Sequence, residues 1–142
     1  MQADPCDRAN RLLWLAGSVW TLPNTLLGVV LGLLNGTIPQ FEAGAVNFYM
    51  RRGMVGLVCN KLGISAFTVG DCVLYSADPT PNLRVHEGRH IAQYHALGLL
   101  FLPAYFLLLA FFGYEEHPLE QDARLHERTV CGCEGPSRLR AK

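Results

Sequence analysis

An excess of charge of either sign is missing from this sequence, in which Lys+Arg and Asp+Glu both number 12. With no basic field to hold a phosphate backbone, no nucleic acid is expected as a partner. Charged residues of any kind are scarce, at 17% of the chain against about a quarter in ordinary soluble domains. A disulfide framework is missing too, because Cys6, Cys59, Cys72, Cys131 and Cys133 are odd in number and match no zinc-ribbon spacing. They read as reduced thiols, with Cys131-Gly132-Cys133 a secondary candidate for soft-metal or redox chemistry. No internal repeat is visible, and 142 residues make one domain rather than two marginal ones.

Two stretches lack charged side chains altogether, Leu12 to Phe41 and Ile91 to Tyr114, with aliphatic hearts at Leu26–Leu34 and Leu97–Phe112. A helix needs about 20 apolar residues to cross a bilayer, so either run can enter a membrane. A buried core helix is the soluble alternative for each. Asp4 and Asp7 stand beside Arg8 and Arg11 ahead of the first run, and no small-residue cleavage site follows it. An uncleaved anchor is therefore expected rather than a signal peptide. Arg8 and Arg11 before the run are matched by Arg51 and Arg52 after it, so the positive-inside rule leaves orientation open.

Residues 1 to 11 read as loose and polar, and Arg11 to Leu34 as a helix bent or broken near Pro23 and ended by Asn35-Gly36. Segments at Ala45–Met50, Val55–Cys59, Ile64–Val69 and Cys72–Tyr75 are rich in β-branched or aromatic residues. Arg51-Arg52-Gly53, Asn60-Lys61-Leu62-Gly63 and Gly70-Asp71 punctuate them as hairpin turns, which predicts a small antiparallel β-sheet. Thr80 then suits a helix N-cap and Pro81 a first helical position. Helix is expected from Pro81 to about Gly98, from Leu99 to Gly113, and from Pro118 to about Arg128. The expected class is α+β: an N-terminal apolar helix, the sheet, then a motif helix and a helical hairpin. Residues 1–36 form a membrane-associated segment, 37–130 a minimal domain and 131–142 a flexible tail.

The motif is His86-Glu87-Gly88-Arg89-His90. Residues four apart share one helix face, so His86 and His90 can offer two imidazole nitrogens to one metal, with Glu87 at the edge of the same cavity. Neutral imidazole suits Zn²⁺, and the metal lowers the pKa of a bound water towards about 7. Glu87 can then accept that water's proton and pass it on. Two solvated histidines on a surface helix are the bland alternative.

His86-Glu87-Gly88-Arg89-His90-Ile91-Ala92-Gln93, followed by Pro118-Leu119-Glu120-Gln121-Asp122-Ala123, resembles the gluzincin metallopeptidases, in particular small bacterial membrane-associated members. The resemblance covers roughly Phe67 to Arg128. It implies His86, His90 and Glu120 as zinc ligands, Glu87 as the base, a peptide or protein substrate, and a place at a membrane, the bacterial inner membrane, in contact with its lipid. His117 stands where relatives often have asparagine, and Asp122 is closer to the third ligand than in the thermolysin-like pattern. Glu115, Glu116, His117 and Glu127 remain rival third ligands. Gln93 matches the pattern without an assigned role. Tyr94, His95, Tyr105, Tyr114 and Arg124 are candidate oxyanion donors, though Tyr105 suits aromatic packing or an interfacial anchor better. The strand Ile64–Val69 could pair with an extended substrate.

A straight helix from Ile91 to Gly113 would carry the chain about 33 Å from His90. Glu120 can reach the metal only if the second apolar run folds back, most simply between Gly98 and Pro103, so the run would dip into a bilayer without crossing it. Two other readings stand beside the hydrolase. One is a catalytically inactive zinc-binding membrane protein, an interaction or assembly module whose metal contributes folding free energy; the other is a metal-free membrane protein.

Overall fold

In a computed structural model, residues 5–50 and 53–131 are described, with side chains from 10 to 130. The flexible tail proposed beyond Cys131 and the Arg51-Arg52 part of one turn lie outside them. The architecture is α+β, with helices α1 (Pro5–Trp20), α2 (Leu22–Leu34), α3 (Met54–Lys61), α4 (Pro81–Leu97), α5 (Phe101–Phe112) and α6 (Pro118–Cys131). Strands β1 (Gln40–Glu42), β2 (Ala45–Tyr49), β3 (Ala66–Val69) and β4 (Cys72–Tyr75) form one sheet in the order β1-β2-β4-β3.

Three expectations are corrected. Helix begins at Pro5, so the loose start does not extend to residue 11. The sheet is mixed rather than antiparallel: β1/β2 and β3/β4 are antiparallel, but the central β2/β4 pair is parallel. Parallel neighbours need a crossover, and part of it is α3, which occupies the Val55–Cys59 segment expected as a strand. Asn60–Gly63 accordingly closes a helix instead of turning a hairpin. The cause is tertiary. Asn35 Oδ1 accepts from the Val55 and Gly56 N–H groups at 3.1 and 3.3 Å, satisfying orphan donors of the first turn of α3. Gly56 lets that turn settle on the end of β2, where any Cβ would collide with the Met50 carbonyl. The short strand β1 was not foreseen; its burial pattern is exposed throughout, so no apolar alternation announces it.

Alternation along β2 and β4 gives the sheet two apolar faces. Phe48, Met50, Val69, Cys72 and Leu74 are buried with Val29, Leu31 and Val55 against them, the last three coming from α2 and α3. Gly28 and Gly32, one turn apart on α2, allow the close approach, since a Cβ on either would overlap Cys72 or Phe48. Ala45, Val73 and Tyr75 line the opposite face, covered by Leu83 and Ile91 of α4. Fully burying side chains of this size stabilises by about 1.5–3 kcal/mol each. Helix α6 packs along α4.

Both apolar runs are broken. Asn10–Trp20 and Leu22–Leu34 meet at 68°. Gly98, at φ 57° and ψ −128°, ends α4, and a 3-10 turn at Gly98–Leu100 leads into α5. By length and composition Pro81–Phe112 is apolar enough to cross a membrane, with 11% of its apolar window buried. It is not one straight rod: the His90 and Phe101 rings are 6.4 Å apart, whereas residues eleven apart on a straight helix are separated by about 16 Å. The two breaks touch, for Trp20 lies against Gly98 and Asn24 donates to the Gly98 carbonyl at 3.0 Å.

Candidate metal centre

Helix α4 carries the motif because its start is well specified: the Thr80 hydroxyl accepts from Leu83 N–H at 3.2 Å, and Pro81 occupies the first turn. Leu83 and Ile91 hold one face of α4 on the sheet. His86, Arg89, His90 and Gln93, spaced three and four apart along a neighbouring stripe of the helix, meet α6 instead. Gly98 and Gly113, both at positive φ, reverse the chain so that α6 returns beside α4.

Three side chains converge there. His86 Nε2 lies 3.2 Å from His90 Nε2 and 3.4 Å from Glu120 Oε2, and His90 Nε2 lies 3.3 Å from Glu120 Oε1. Their potential ligand atoms fall within 4.8 Å of one another. Atoms bound at about 2.0–2.1 Å to a tetrahedral zinc sit about 3.3 Å apart, so the group has the dimensions of half a coordination sphere or more. His90 and Glu120 are buried, and Glu120 Oε2 has no well-formed hydrogen bond, only the His86 ring at 3.4 Å. A poorly satisfied buried carboxylate oxygen costs free energy, and a cation is the partner that this donor set fits.

Electrostatics agree with the geometry. Burial alone would raise the Glu120 carboxyl, but the His86 and His90 rings and the Tyr105 hydroxyl hold it well below the usual carboxylate range. Burial would lower His90, yet Glu120 and Glu87 beside it raise it above the ordinary histidine value. Glu87, 3% exposed, is pushed up by burial, opposed by His90, His86 and the Thr68 hydroxyl. That hydroxyl donates to Glu87 Oε2 at 2.7 Å. A carboxyl raised by desolvation beside two imidazoles is suited to taking up and releasing a proton.

The rival ligands have other partners. His117 is fully buried, with Nε2 donating to the Tyr105 carbonyl at 2.9 Å and Nδ1 accepting from Leu119 N–H at 3.2 Å. Glu115 is paired with Arg124 at 3.4 Å, while Glu116 is exposed. Glu127 Oε2 faces the far nitrogen of His86, Nδ1, at 3.4 Å. Among the oxyanion candidates, Tyr94 donates to the Thr68 carbonyl at 3.2 Å and His95 to Asp71 Oδ1 at 2.6 Å, beside Trp14, so neither is placed for that task. Arg124 is held by Glu115 and lies over the Tyr114 ring at 5.1 Å. Tyr105 has an aromatic setting, next to Phe101 and His117, and its hydroxyl also donates to Glu120 Oε1 at 2.7 Å.

Sequence reasoning missed Thr68, a threonine in a short strand that nothing local distinguishes. It also left Gln93 and Asp122 without roles, although both face the site: Gln93 Oε1 is 2.9 Å from His90 Nδ1, and Asp122 receives Arg89 at 2.7 and 3.1 Å. No protein-family model, curated protein or solved structure matches the chain.

Proposed function

We propose that this chain is a zinc-dependent metalloendopeptidase-like hydrolase of the gluzincin type, held at a membrane. The observation that carries the reading is the convergence of His86, His90 and Glu120 on one point, 3.2–3.4 Å apart, with Glu87 buried alongside. Bound there, zinc would polarise a peptide carbonyl and lower the pKa of a water to about 7. Glu87 takes that water's proton during attack on the peptide bond and delivers it to the departing amine. Thr68 holds its carboxylate in place. The edge position of β3 supports a peptide substrate. Residues 65, 67 and 69 turn their polar backbone groups to β4, as the Ser76 N–H to Ser65 carbonyl bond and the Val69/Cys72 pairing show. Ala66 and the Thr68 N–H are left facing outward, where an extended chain could bond.

The membrane reading rests on exposed apolar side chains along both broken runs, among them Leu22, Leu26 and Leu33 on α2 and Phe106, Phe111 and Phe112 on α5. Such contiguous exposure in uncharged segments suits lipid, here that of a bacterial inner membrane, entered but not crossed. Elemental analysis of detergent-purified protein should find one zinc per chain, lost in His86→Ala. Glu87→Gln should keep the zinc and lower hydrolysis of labelled casein by about 100-fold or more. Zinc without any hydrolysis sensitive to Glu87 would favour the inactive assembly module, and no stoichiometric metal would end both readings.

A further inference from the structure

The amide of Gln93 can be oriented without ambiguity. Its nitrogen lies 3.0 Å from the Leu119 carbonyl and 2.7 Å from Asp122 Oδ2. A carbonyl only accepts, and both Asp122 oxygens already accept from the Arg89 guanidinium, through Nε at 2.7 Å and a terminal nitrogen at 3.1 Å. The Gln93 nitrogen must therefore be the donor to both. Its oxygen is then the atom facing His90 Nδ1 at 2.9 Å, and an amide oxygen cannot donate. The proton between them belongs to His90.

We infer that Gln93 is the positioning residue of the metal centre: through the chain Arg89–Asp122–Gln93–His90 it fixes His90 as the Nδ1–H tautomer, leaving the Nε2 lone pair aimed at His86 and Glu120. The inference rests on the zinc reading for its purpose but not for its test. Buried and spanning α4 to α6, Gln93 also ties the helix that bears the first two ligands to the helix that bears the third. Asp122 therefore acts one step removed from the histidine. A neutral amide does the orienting, and the carboxylate orients the amide. Groups in this position outside the ligands are generally worth 10–100-fold (roughly) in metal affinity.

The test is imidazole ¹⁵N–¹H correlation on the full-length, metal-free protein in detergent micelles, at a pH high enough to leave the rings neutral. Wild-type His90 should show the Nδ1–H tautomer, which free imidazole side chains disfavour, and Gln93→Leu should shift it to the Nε2–H form. Chelator competition should then show zinc affinity reduced by about 10–100-fold in Gln93→Leu. Wild-type His90 in the Nε2–H form overturns the inference whether or not zinc binds. An unchanged zinc affinity in a folded Gln93→Leu protein overturns it while leaving the metal centre standing. Absence of zinc in wild type instead strikes the zinc reading, and the tautomer measurement still decides the assignment.

Discussion

The two broken apolar runs look alike in composition and differ in what their breaks accomplish. In the first, α1 and α2 bend by 68° and α2 lays its glycine face on the sheet. In the second, the break at Gly98 folds α5 back so that Tyr105 reaches Glu120 and α6 can return to α4. One break shapes the core, and the other assembles a site. They are not independent, since Asn24 of the first bonds to Gly98 of the second. The carbonyl left at the second break is thus satisfied by a side chain of the first run.

The strongest way to break this contrast is Gly98→Val. A side chain there would meet the Trp20 ring and force a β-branched residue to φ 57°. Strain and overlap together should cost about 3 kcal/mol or more, and stoichiometric zinc should be lost as Glu120 leaves the pair of histidines. Denaturant titration in detergent with elemental analysis reads both. Next comes Asn24→Leu, which strands the Gly98 carbonyl without touching the ligands. It should destabilise by about 1–3 kcal/mol with zinc content retained, so metal loss in this variant would show that the first break governs the site directly. Gly113→Ala is a gentler probe of the return. Its φ is 71° but nothing lies near the new methyl, so the loss should be about 1–2 kcal/mol. The smallest effect concerns the seal between α2 and the sheet. Burial, and then the Asp71 charge, push the Cys72 thiol up to about 12, and its sulfur donates to the Thr25 carbonyl at 3.3 Å. Native protein at neutral pH should show no alkylation at Cys72 by iodoacetamide, read by mass spectrometry, until denaturant opens the seal.

Local signals made much of this legible. Thr80-Pro81, Gly98, Gly113 and Pro118 mark the ends of α4, α5 and α6 because capping and positive φ are written in single residues. The Gly70-Asp71 turn and its two strands were equally plain. The α3 segment was not, since Val55, Val58 and Cys59 favour a strand by propensity and turn helical only when Asn35, distant in sequence, supplies the cap. Parallel pairing of β2 with β4 is likewise a long-range choice that no local pattern encodes. At the site, the spacing of His86, Glu87 and His90 was visible, whereas the parts played by Thr68, Gln93 and Asp122 depend on which strand and helix happen to face them.

Asn35 precedes Gly36, the dipeptide in which an asparagine most readily cyclises onto the following nitrogen and loses its amide. Here the oxygen of that amide is occupied by the first turn of α3. The Gly36 nitrogen, which would have to attack that carboxamide, donates to the Leu33 carbonyl at 2.9 Å, so the end of one helix and the start of another together hold apart the two groups whose union would alter the backbone.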